Sequence, residues 1–257
     1  MFPDFDGSSV DKIKKLETPK QMSALLAEDL GFHIGDGHMK IEDYGDGKKY
    51  RFSYSGDNRY DINYFEWFLL PRKKKLFNID INIFEIKNKH AIEAKYSSKK
   101  LVLFYKSLGI PDGKKVNVKI PKVILESDYL IKTAFLRGLA DSDFGLSLKN
   151  RSSGVYPVLS FSSASKVLRD QVQEILEKRN FNLTAYTKAY YDLRIKKRVT
   201  TFALDLNGSK QLQKWMNEIG FLNKKHLDRY NKWAERESNS RPSPCKGDAI
   251  TTKLPAH

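Results

Sequence analysis

Hydrophobic and polar side chains alternate along several stretches of the chain, and this period of two predicts β-strands with one buried and one polar face. The alternating apolar positions fall in two pairs of strands, Met39–Ile41 with Tyr50–Tyr54 and Leu146–Leu148 with Val155–Phe161. Two further hairpin-like runs cover Ile79–Tyr96 and Ala185–Leu206. Because the other faces are polar and basic, we expect sheets that pack on a core with one side only.

Three kinds of helix are predicted, and each occurs twice. They are a mostly apolar helix that ends in a small residue and an aspartate, a helix after the first hairpin, and a short amphipathic helix stopped by glycine. In chain order they cover Leu25–Gly37, Asn63–Leu70, Ser98–Gly109, Ala134–Asp143, Ser165–Arg179 and Ser209–Gly220.

These repeats indicate an internal duplication. Between the two glycine-stopped helices, Ser, Lys, Leu, an aromatic residue and the closing Gly recur at an offset of 220 − 109 = 111 residues. Asp36 and Asp143, which end the two apolar helices, are 143 − 36 = 107 residues apart. The pattern predicts an α+β fold of two pseudo-symmetric halves, each ordered helix, hairpin, helix, hairpin, helix, with antiparallel sheets.

The predicted organisation has five parts. They are an N-terminal extension (1–17), a first half (18–115), a linker (116–120), a second half (121–235) and a tail (236–257). The tail is rich in Ser and Pro without periodicity, which is typical of disorder.

Charge adds a polyanionic partner to this picture. Lys and Arg number 46 against 31 Asp and Glu, a net charge of +15. The basic residues occur in clumps, Arg72–Lys75, Lys99–Lys100, Lys114–Lys115, Lys196–Arg198 and Lys224–Lys225. Because contacts to phosphates release counterions, this favours nucleic acid over a surface that is merely basic.

Composition also excludes several classes of protein. The single cysteine, Cys245, excludes a disulfide framework and a cysteine zinc cluster. No apolar run approaches the roughly 20 residues that span a bilayer, and the N-terminus lacks the pattern of a signal peptide. We therefore expect an intracellular protein without a membrane partner.

Both apolar helices carry small residues one turn apart, namely Gly31, Gly35, Gly138 and Ser142. Such stripes let two helix backbones approach closely, which is a reason to tolerate glycine at a cost of about 1 kcal/mol relative to alanine. A parallel pair would bring Asp36 and Asp143 together, although helix dipoles and mutual repulsion disfavour carboxylates there. A divalent cation would remove both objections, and oxygen ligands favour Mg²⁺ or Mn²⁺. Two such aspartates therefore predict a metal site suited to phosphodiester hydrolysis, whereas one alone would be an ordinary helix end.

The segments Asp29–Gly37 and Leu136–Phe144 resemble the two signature motifs of the LAGLIDADG homing endonucleases in their single-chain, two-motif form. The resemblance covers about residues 18–235, and Phe221–Trp233 is similar to the end of archaeal-type members. It implies two αββαββα halves whose four-stranded sheets form a DNA-binding saddle, with the motif helices at the interface. It also implies that the aspartates in the eighth motif position, Asp36 and Asp143, bind the catalytic metals.

The chain departs from the family pattern at two motif positions. The ninth is Gly37 in the first motif and Phe144 in the second, and the sixth is Ile34 and then Asp141. Neither change removes a proposed metal ligand, but Phe144 alters the turn that leaves the second helix.

The resemblance further implies a basic residue near the reacting phosphates, just before the last helix of a half. Lys99 and Lys210 occupy the matching repeated positions. A lysine there could stabilise developing charge, and the alternative is a solvated lysine at a helix start.

Polar strand faces would supply the contacts to DNA bases and phosphates. The candidates are Arg51, Ser53, Glu93, Lys95, Lys149, Arg151, Arg194 and Lys196. His33 and His38 lie beside a glycine turn, where a lone histidine is more often structural than a metal ligand, so neither is included.

The predicted function is a monomeric, nucleoid-associated endonuclease that cuts both strands of a long, asymmetric double-stranded DNA site. The alternative is an intron maturase, with intron RNA as a partner, or a non-cleaving nucleic-acid-binding protein on the same scaffold. An intein carrying such a domain fits poorly, because Met1 is neither Cys nor Ser and no terminal His-Asn pair is present.

Overall fold

The computed structural model describes residues 1–87, 89–152, 154–193 and 196–240. Arg194 and residues 241–257, most of the predicted tail, lie outside these ranges. Across the described chain, none of the helices combines the length and the hydropathy that a membrane crossing requires.

The first half follows a short N-terminal helix, α1 (Ser9–Ile13). Its elements are α2 (Ala24–Asp36), β1 (Gly37–Asp43), β2 (Lys48–Gly56), α3 (Ile62–Tyr64), a π-helical turn (Phe65–Leu69), α4 (Leu70–Phe77), β3 (Asn82–Ile86), β4 (Ala91–Ser97) and α5 (Lys99–Ser107).

The second half repeats this order after a short connecting helix, α6 (Lys122–Leu125). Its elements are α7 (Tyr129–Asp143), β5 (Phe144–Arg151), β6 (Gly154–Ser163), α8 (Lys166–Glu177), β7 (Leu183–Asp192), β8 (Lys197–Asn207), α9 (Ser209–Glu218) and α10 (Lys224–Ser240).

Each half contains one four-stranded antiparallel sheet, ordered β1-β2-β4-β3 in the first and β5-β6-β8-β7 in the second. The registers are equivalent, because the residue after each motif aspartate begins a strand: Gly37 pairs with Tyr54, and Phe144 pairs with Phe161. The predicted α+β class with two pseudo-symmetric halves is therefore confirmed.

The core lies on the helix side of both sheets. Met39 and Phe52 on the first sheet and Leu146 and Phe161 on the second are buried, as the alternating pattern predicts. The two motif helices α2 and α7 pack against each other between the halves. Side chains cap the start of each, since the N–H of Leu26 donates to Ser23 Oγ at 3.2 Å and α7 is capped by Asp128.

The N-terminal extension packs on the first half. The ring of Phe2 meets that of Phe104 at 5.7 Å between centroids, and the buried Asp11 carboxylate accepts the N–H of Lys100 at 3.1 Å. Asp11 thereby satisfies a free backbone donor in the first turn of α5.

The helix after the first hairpin is longer than the sequence pattern predicts. Instead of ending at Leu70, helical structure continues through Pro71 to Phe77. A π-helical turn over Phe65–Leu69 precedes the proline, so the ring stands in the first turn of α4, where a missing N–H is tolerated.

The basic clump Arg72–Lys75 is not wholly a surface patch, contrary to its use as a sign of polyanion binding. Arg72 pairs with Glu28 at 2.5 Å, and Lys73 pairs with Asp29 at 2.8 Å, with the Lys73 side chain 0% exposed. These two cations belong to the core, because each neutralises a buried carboxylate of α2.

The last helix also extends beyond its predicted boundary. Residues 236–240, assigned to the tail from the sequence, form the end of α10. Ala234–Glu237 are good helix formers, and they continue the turn that the buried Trp233 anchors.

Candidate active site and nucleic-acid interface

The two motif helices approach so closely that their glycines have no room for a side chain. A Cβ on Gly31 would overlap the carbonyl oxygen of Phe135 on α7, and a Cβ on Gly138 would overlap that of Glu28 on α2. The contact is reciprocal, as expected of a pseudo-two-fold axis between α2 and α7.

One turn further along, the same interface leads to the two acids. A Cβ on Gly35 would overlap the side chain of Ser142 and lie 3.2 Å from the carboxyl carbon of Asp143. The four small residues of the sequence pattern therefore line the contact, and Asp36 and Asp143 end their helices side by side.

Both acids are energetically disfavoured as anions. Burial, followed by the charge of Asp36, raises the pKa of Asp143 to about 7. Burial also raises the pKa of Asp36 to about 6, with Lys225 and Lys115 opposing the shift and Asp61 adding to it. Within the described residues, neither carboxylate has a hydrogen bond or an ion pair with the protein.

Lys115 stands at the end of the first motif helix. Its Nζ donates to the carbonyl oxygens of Ile34 at 2.7 Å, Gly35 at 2.6 Å and Gly37 at 2.6 Å, with a longer bond to His33 at 3.2 Å. It thereby satisfies carbonyls that the helix leaves free and opposes the negative end of the dipole. Burial lowers its pKa, while Asp143 and Asp36 favour the charged form.

Lys225 is the second cation that acts on both acids. Its Nζ donates to Asp61 Oδ1 at 3.1 Å. The preceding segment is fixed by Asp141, whose carboxylate accepts the N–H groups of Leu222 at 3.0 Å and Asn223 at 2.9 Å. The sixth motif position of the second half thus secures the chain that carries Lys225, and burial raises the pKa of Asp141 to about 7.

The structure does not bring Lys99 and Lys210 to the acids. The N–H of Ser98 donates to Tyr50, and that of Gly208 donates to Pro157. Tyr54 and Phe161 pair with the first residue after each motif aspartate. The acceptors Tyr50 and Pro157 lie four residues further along the same strands, which corresponds to a distance of about 13 Å. Lys99 is the first residue of α5 and Lys210 is the second residue of α9, so both lie at the end of their sheet that is far from the acids.

Lys115 and Lys225 were missed by the sequence analysis, although a signal for them exists. They lie at similar distances from the glycines that close the repeated helices, 115 − 109 = 6 and 225 − 220 = 5 residues. Both also belong to basic clumps, so extending the repeat by a few residues finds them.

The polar face of the first sheet carries four of the predicted DNA-binding residues on adjacent strands. Ser53 pairs with Lys95, and Ser55, its neighbour on the same face, pairs with Glu93. Arg51, also on this face, pairs its charge with Glu42 at 2.9 Å. With their neighbours these side chains line a groove of about 630 Å³.

On the second sheet, Lys149 and Arg151 lie towards the tip of the β5–β6 hairpin. Arg151 stacks on the ring of Tyr156 at 3.9 Å. Lys196 lies in the turn between β7 and β8, and Arg194 falls outside the described residues.

The histidines beside the first motif have different surroundings. His33 is buried, bonds Tyr54 Oη at 3.2 Å and stacks on Phe52 at 4.6 Å, so its position agrees with a structural role. Burial, with Lys115 nearby, holds the pKa of His33 well below its usual range. His38 is exposed on the sheet face.

The donor set of the paired acids fits a hard divalent cation. Two carboxylates with raised pKa values lie close together without a partner among the described residues, which is the condition that a cation relieves. Among the residues that the structure describes, no group of three or more His, Cys, Asp or Glu side chains could hold a metal. Further ligands would therefore be water or phosphate oxygens, as Mg²⁺ commonly retains.

Comparison with known proteins gives one family model and two curated relatives. Residues 131–220 match the model described as a LAGLIDADG-like domain. A replication factor C small subunit from Methanocaldococcus jannaschii is 31% identical over 231 residues, which cover 83% of this chain and 11% of that protein. The tRNA-splicing ligase RtcB from Methanopyrus kandleri is 24% identical over 217 residues, covering 76% and 20%. The chain thus spans only a small part of the length of either relative.

Solved structures share the fold over most of the chain. A variant of I-DmoI, in complex with its nicked target DNA and manganese, has a TM-score of 0.55 at 19% identity and covers 77% of this chain and 95% of that one. I-SmaMI bound to an uncleaved DNA target with calcium has a TM-score of 0.52 at 12% identity, covering 84% and 90%. At these identities the similarity is one of fold, and it includes both halves.

Proposed function

We propose that this chain, as a single-chain, two-motif member of the LAGLIDADG homing endonuclease family, is a site-specific DNA endonuclease. It would hydrolyse both strands of a long, asymmetric site with the help of Mg²⁺ or Mn²⁺. The observation that carries the proposal is the pair of carboxylates Asp36 and Asp143, which lie at the junction of the two halves without a hydrogen bond or ion pair to any described residue. Because both halves lie in one chain, a monomer suffices.

The family scaffold alone would also serve a maturase or a non-cleaving binding protein. Neither of those functions needs two carboxylates held together at a cost in stability. The retained acid pair therefore favours cleavage, which takes place where chromosomal DNA is accessible, inside the cell.

Different residues of this chain bind the DNA, hold the metal and stabilise the charge that develops during hydrolysis. The sheets bind the duplex across its backbone and grooves, and the closely packed motif helices hold Asp36 and Asp143 at the scissile phosphates. These two carboxylates would hold the divalent cation, which supplies an activated water and stabilises the leaving oxygen. Lys115 and Lys225 place positive charge beside the acids, where negative charge develops on the phosphate oxygens.

The test is cleavage of the DNA that flanks the gene, joined without the gene, in the presence of Mg²⁺. Asp36→Asn and Asp143→Asn each remove a charge at nearly constant volume, and we expect each to lower the cleavage rate at least 100-fold. Asp80→Asn is the matched control, because the Asp80 side chain is 82% exposed and its ion pair with Lys74 lies at the surface. Cleavage by both motif variants at the parental rate would disprove the assignment of the acids.

A further inference from the structure

The two lysines beside the acids are held in different ways. Among the described residues, the hydrogen bonds of the Lys115 amine go to neutral carbonyl oxygens at the end of α2. The amine of Lys225 donates to the carboxylate of Asp61 at 3.1 Å. The equivalent cations of two pseudo-symmetric halves therefore depend on different partners.

Asp61 is well placed to fix a flexible side chain. It lies just before α3 in the first half and is 7% exposed. One carboxylate oxygen accepts the N–H of Asp57 at 2.9 Å, while the other accepts Asn223 Nδ2 at 2.9 Å and Lys225 Nζ at 3.1 Å. The carboxylate is thus anchored to its own half and reaches across to the segment that leaves the second half.

The second half has a neutral counterpart of this contact. Ser165 lies just before α8, and its Oγ donates to the carbonyl oxygen of Val118, in the segment that follows Lys115. Each half therefore forms a hydrogen bond to the segment that leaves the other half. Of the two side chains, Asp61 bonds the amine of Lys225 itself, whereas Ser165 bonds a backbone carbonyl.

We infer that Asp61 is a positioning residue that holds the Lys225 amine beside Asp36 and Asp143. Cleavage of one DNA strand therefore depends on Asp61 more than cleavage of the other strand does. The inference rests on the proposed endonuclease function. A lysine amine sits on a flexible four-carbon stem, so without a fixed anion the Lys225 amine spends less time beside Asp36 and Asp143. The loss would fall on the strand whose phosphate Lys225 serves, because the carbonyls of α2 hold Lys115 independently.

The experiment measures cleavage of each strand separately, on the flanking DNA with the two strands carrying different end labels. We expect Lys225→Ala and Asp61→Ala to slow the same strand at least tenfold, so that nicked DNA accumulates. Lys115→Ala is expected to slow the other strand. Ser165→Ala, which removes the neutral counterpart, is expected to change the ratio of the two rates by less than threefold.

Two further variants separate positioning from folding. Asp61→Asn removes the charge at nearly constant volume and is expected to show the same strand bias with a smaller loss. In the double variant of Asp61→Ala and Lys225→Ala, the bias is expected to equal that of Lys225→Ala alone, because the carboxylate acts through the amine. Thermal unfolding of each variant reports whether the fold is retained.

Three outcomes would overturn the inference while leaving the endonuclease function intact: equal slowing of both strands by Asp61→Ala, slowing of the strand that depends on Lys115, or fully additive losses in the double variant. If instead the parent chain cuts neither strand, the proposed function fails and the inference with it.

Discussion

At the scale of single residues, burial shifts the ionisation of the two candidate metal ligands, Asp36 and Asp143. An aspartate whose pKa is raised in the folded state contributes its full stability to the fold below its unfolded pKa. That contribution is lost as the pH rises through its folded pKa. For Asp143 this window runs from its ordinary value of 3.8 to about 7. Without metal, the protein therefore carries an electrostatic cost at neutral pH that protonation removes.

We expect Asp143→Asn to stabilise the metal-free protein at pH 8 by on the order of 2 kcal/mol, and to have little effect at pH 4. Thermal unfolding in a metal chelator measures this, with Asp80→Asn as the control that should change nothing at either pH. Equal stability of Asp143→Asn and the parent at pH 8 would contradict the buried, repelling pair.

A divalent cation should reverse this cost. Binding to the folded state only would stabilise the parent by about 2.7 kcal/mol when the metal concentration is 100 times Kd. Because protons compete for the same carboxylates, the shift in Tm with Mg²⁺ or Mn²⁺ is expected to be larger at pH 8 than at pH 5.5. We expect it to vanish in Asp36→Asn and Asp143→Asn, and a full shift in either variant would place the metal elsewhere.

At the scale of the element, the motif helices are held by contact and by charge. Glycines bring the backbones of α2 and α7 together, and Glu28 of α2 bonds Arg72 of α4 and Arg137 of α7, each at 2.5 Å. Asp29 is buried with Lys73 and Tyr105. Close packing fixes the separation of the acids, and the ion pairs neutralise carboxylates that this packing buries.

Gly138→Ala tests this packing. Alanine gains up to about 1 kcal/mol of helix propensity, but its Cβ would force the two backbones apart, so we expect a net loss of about 2 kcal/mol or more. Gly145→Ala is the control, because a Cβ there meets nothing within 4 Å. Denaturant unfolding of both variants measures the difference, and a neutral Gly138→Ala would show that the helices are not in contact.

On the scale of the whole molecule, the polar faces of the two sheets carry different side chains. The first presents mainly charged side chains, and the second presents mainly hydroxyl groups with Asp205 among them and further charges towards the hairpin tips. The first set includes Lys40, Glu42, Arg51, Glu93 and Lys95, and the second includes Ser147, Ser160, Ser162, Thr184, Tyr186 and Asp205. Val158 and Ala203 lie on the same face of the second sheet but are buried. Arg and Lys favour guanine and Glu favours cytosine, whereas Ser and Thr hydroxyl groups contact either base pair.

We therefore expect the half-site under the first sheet to be richer in G·C pairs than the half-site under the second. Selection of cleaved sites from a randomised DNA library measures both compositions. Arg51→Ala is expected to cost about 1–3 kcal/mol at one or two positions of the first half-site and to leave the second unchanged. Equal compositions, or a loss of preference in both half-sites, would contradict this assignment.

Much of the fold and of the acid pair could be predicted because their determinants are local or repeated. Strand alternation, the glycine stripes and the aspartates at the helix ends recur in both halves, so each copy supports the interpretation of the other. The predicted end at Leu70 was too early because a π-helical turn, which leaves no periodic signal, admits Pro71 into the helix.

The sequence by itself determined the two-fold architecture and the motif aspartates, since periodicity and repetition depend only on the order of residues. Only the tertiary structure decided which charges stand beside the acids and which are buried. Lys115 and Lys225 act on the charge of Asp36, although they are 115 − 36 = 79 and 225 − 36 = 189 residues away from it along the chain. Lys73 becomes a core residue because Asp29 is there to neutralise it. Burial and pairing of charge depend on distances in space, which no local pattern of the chain encodes.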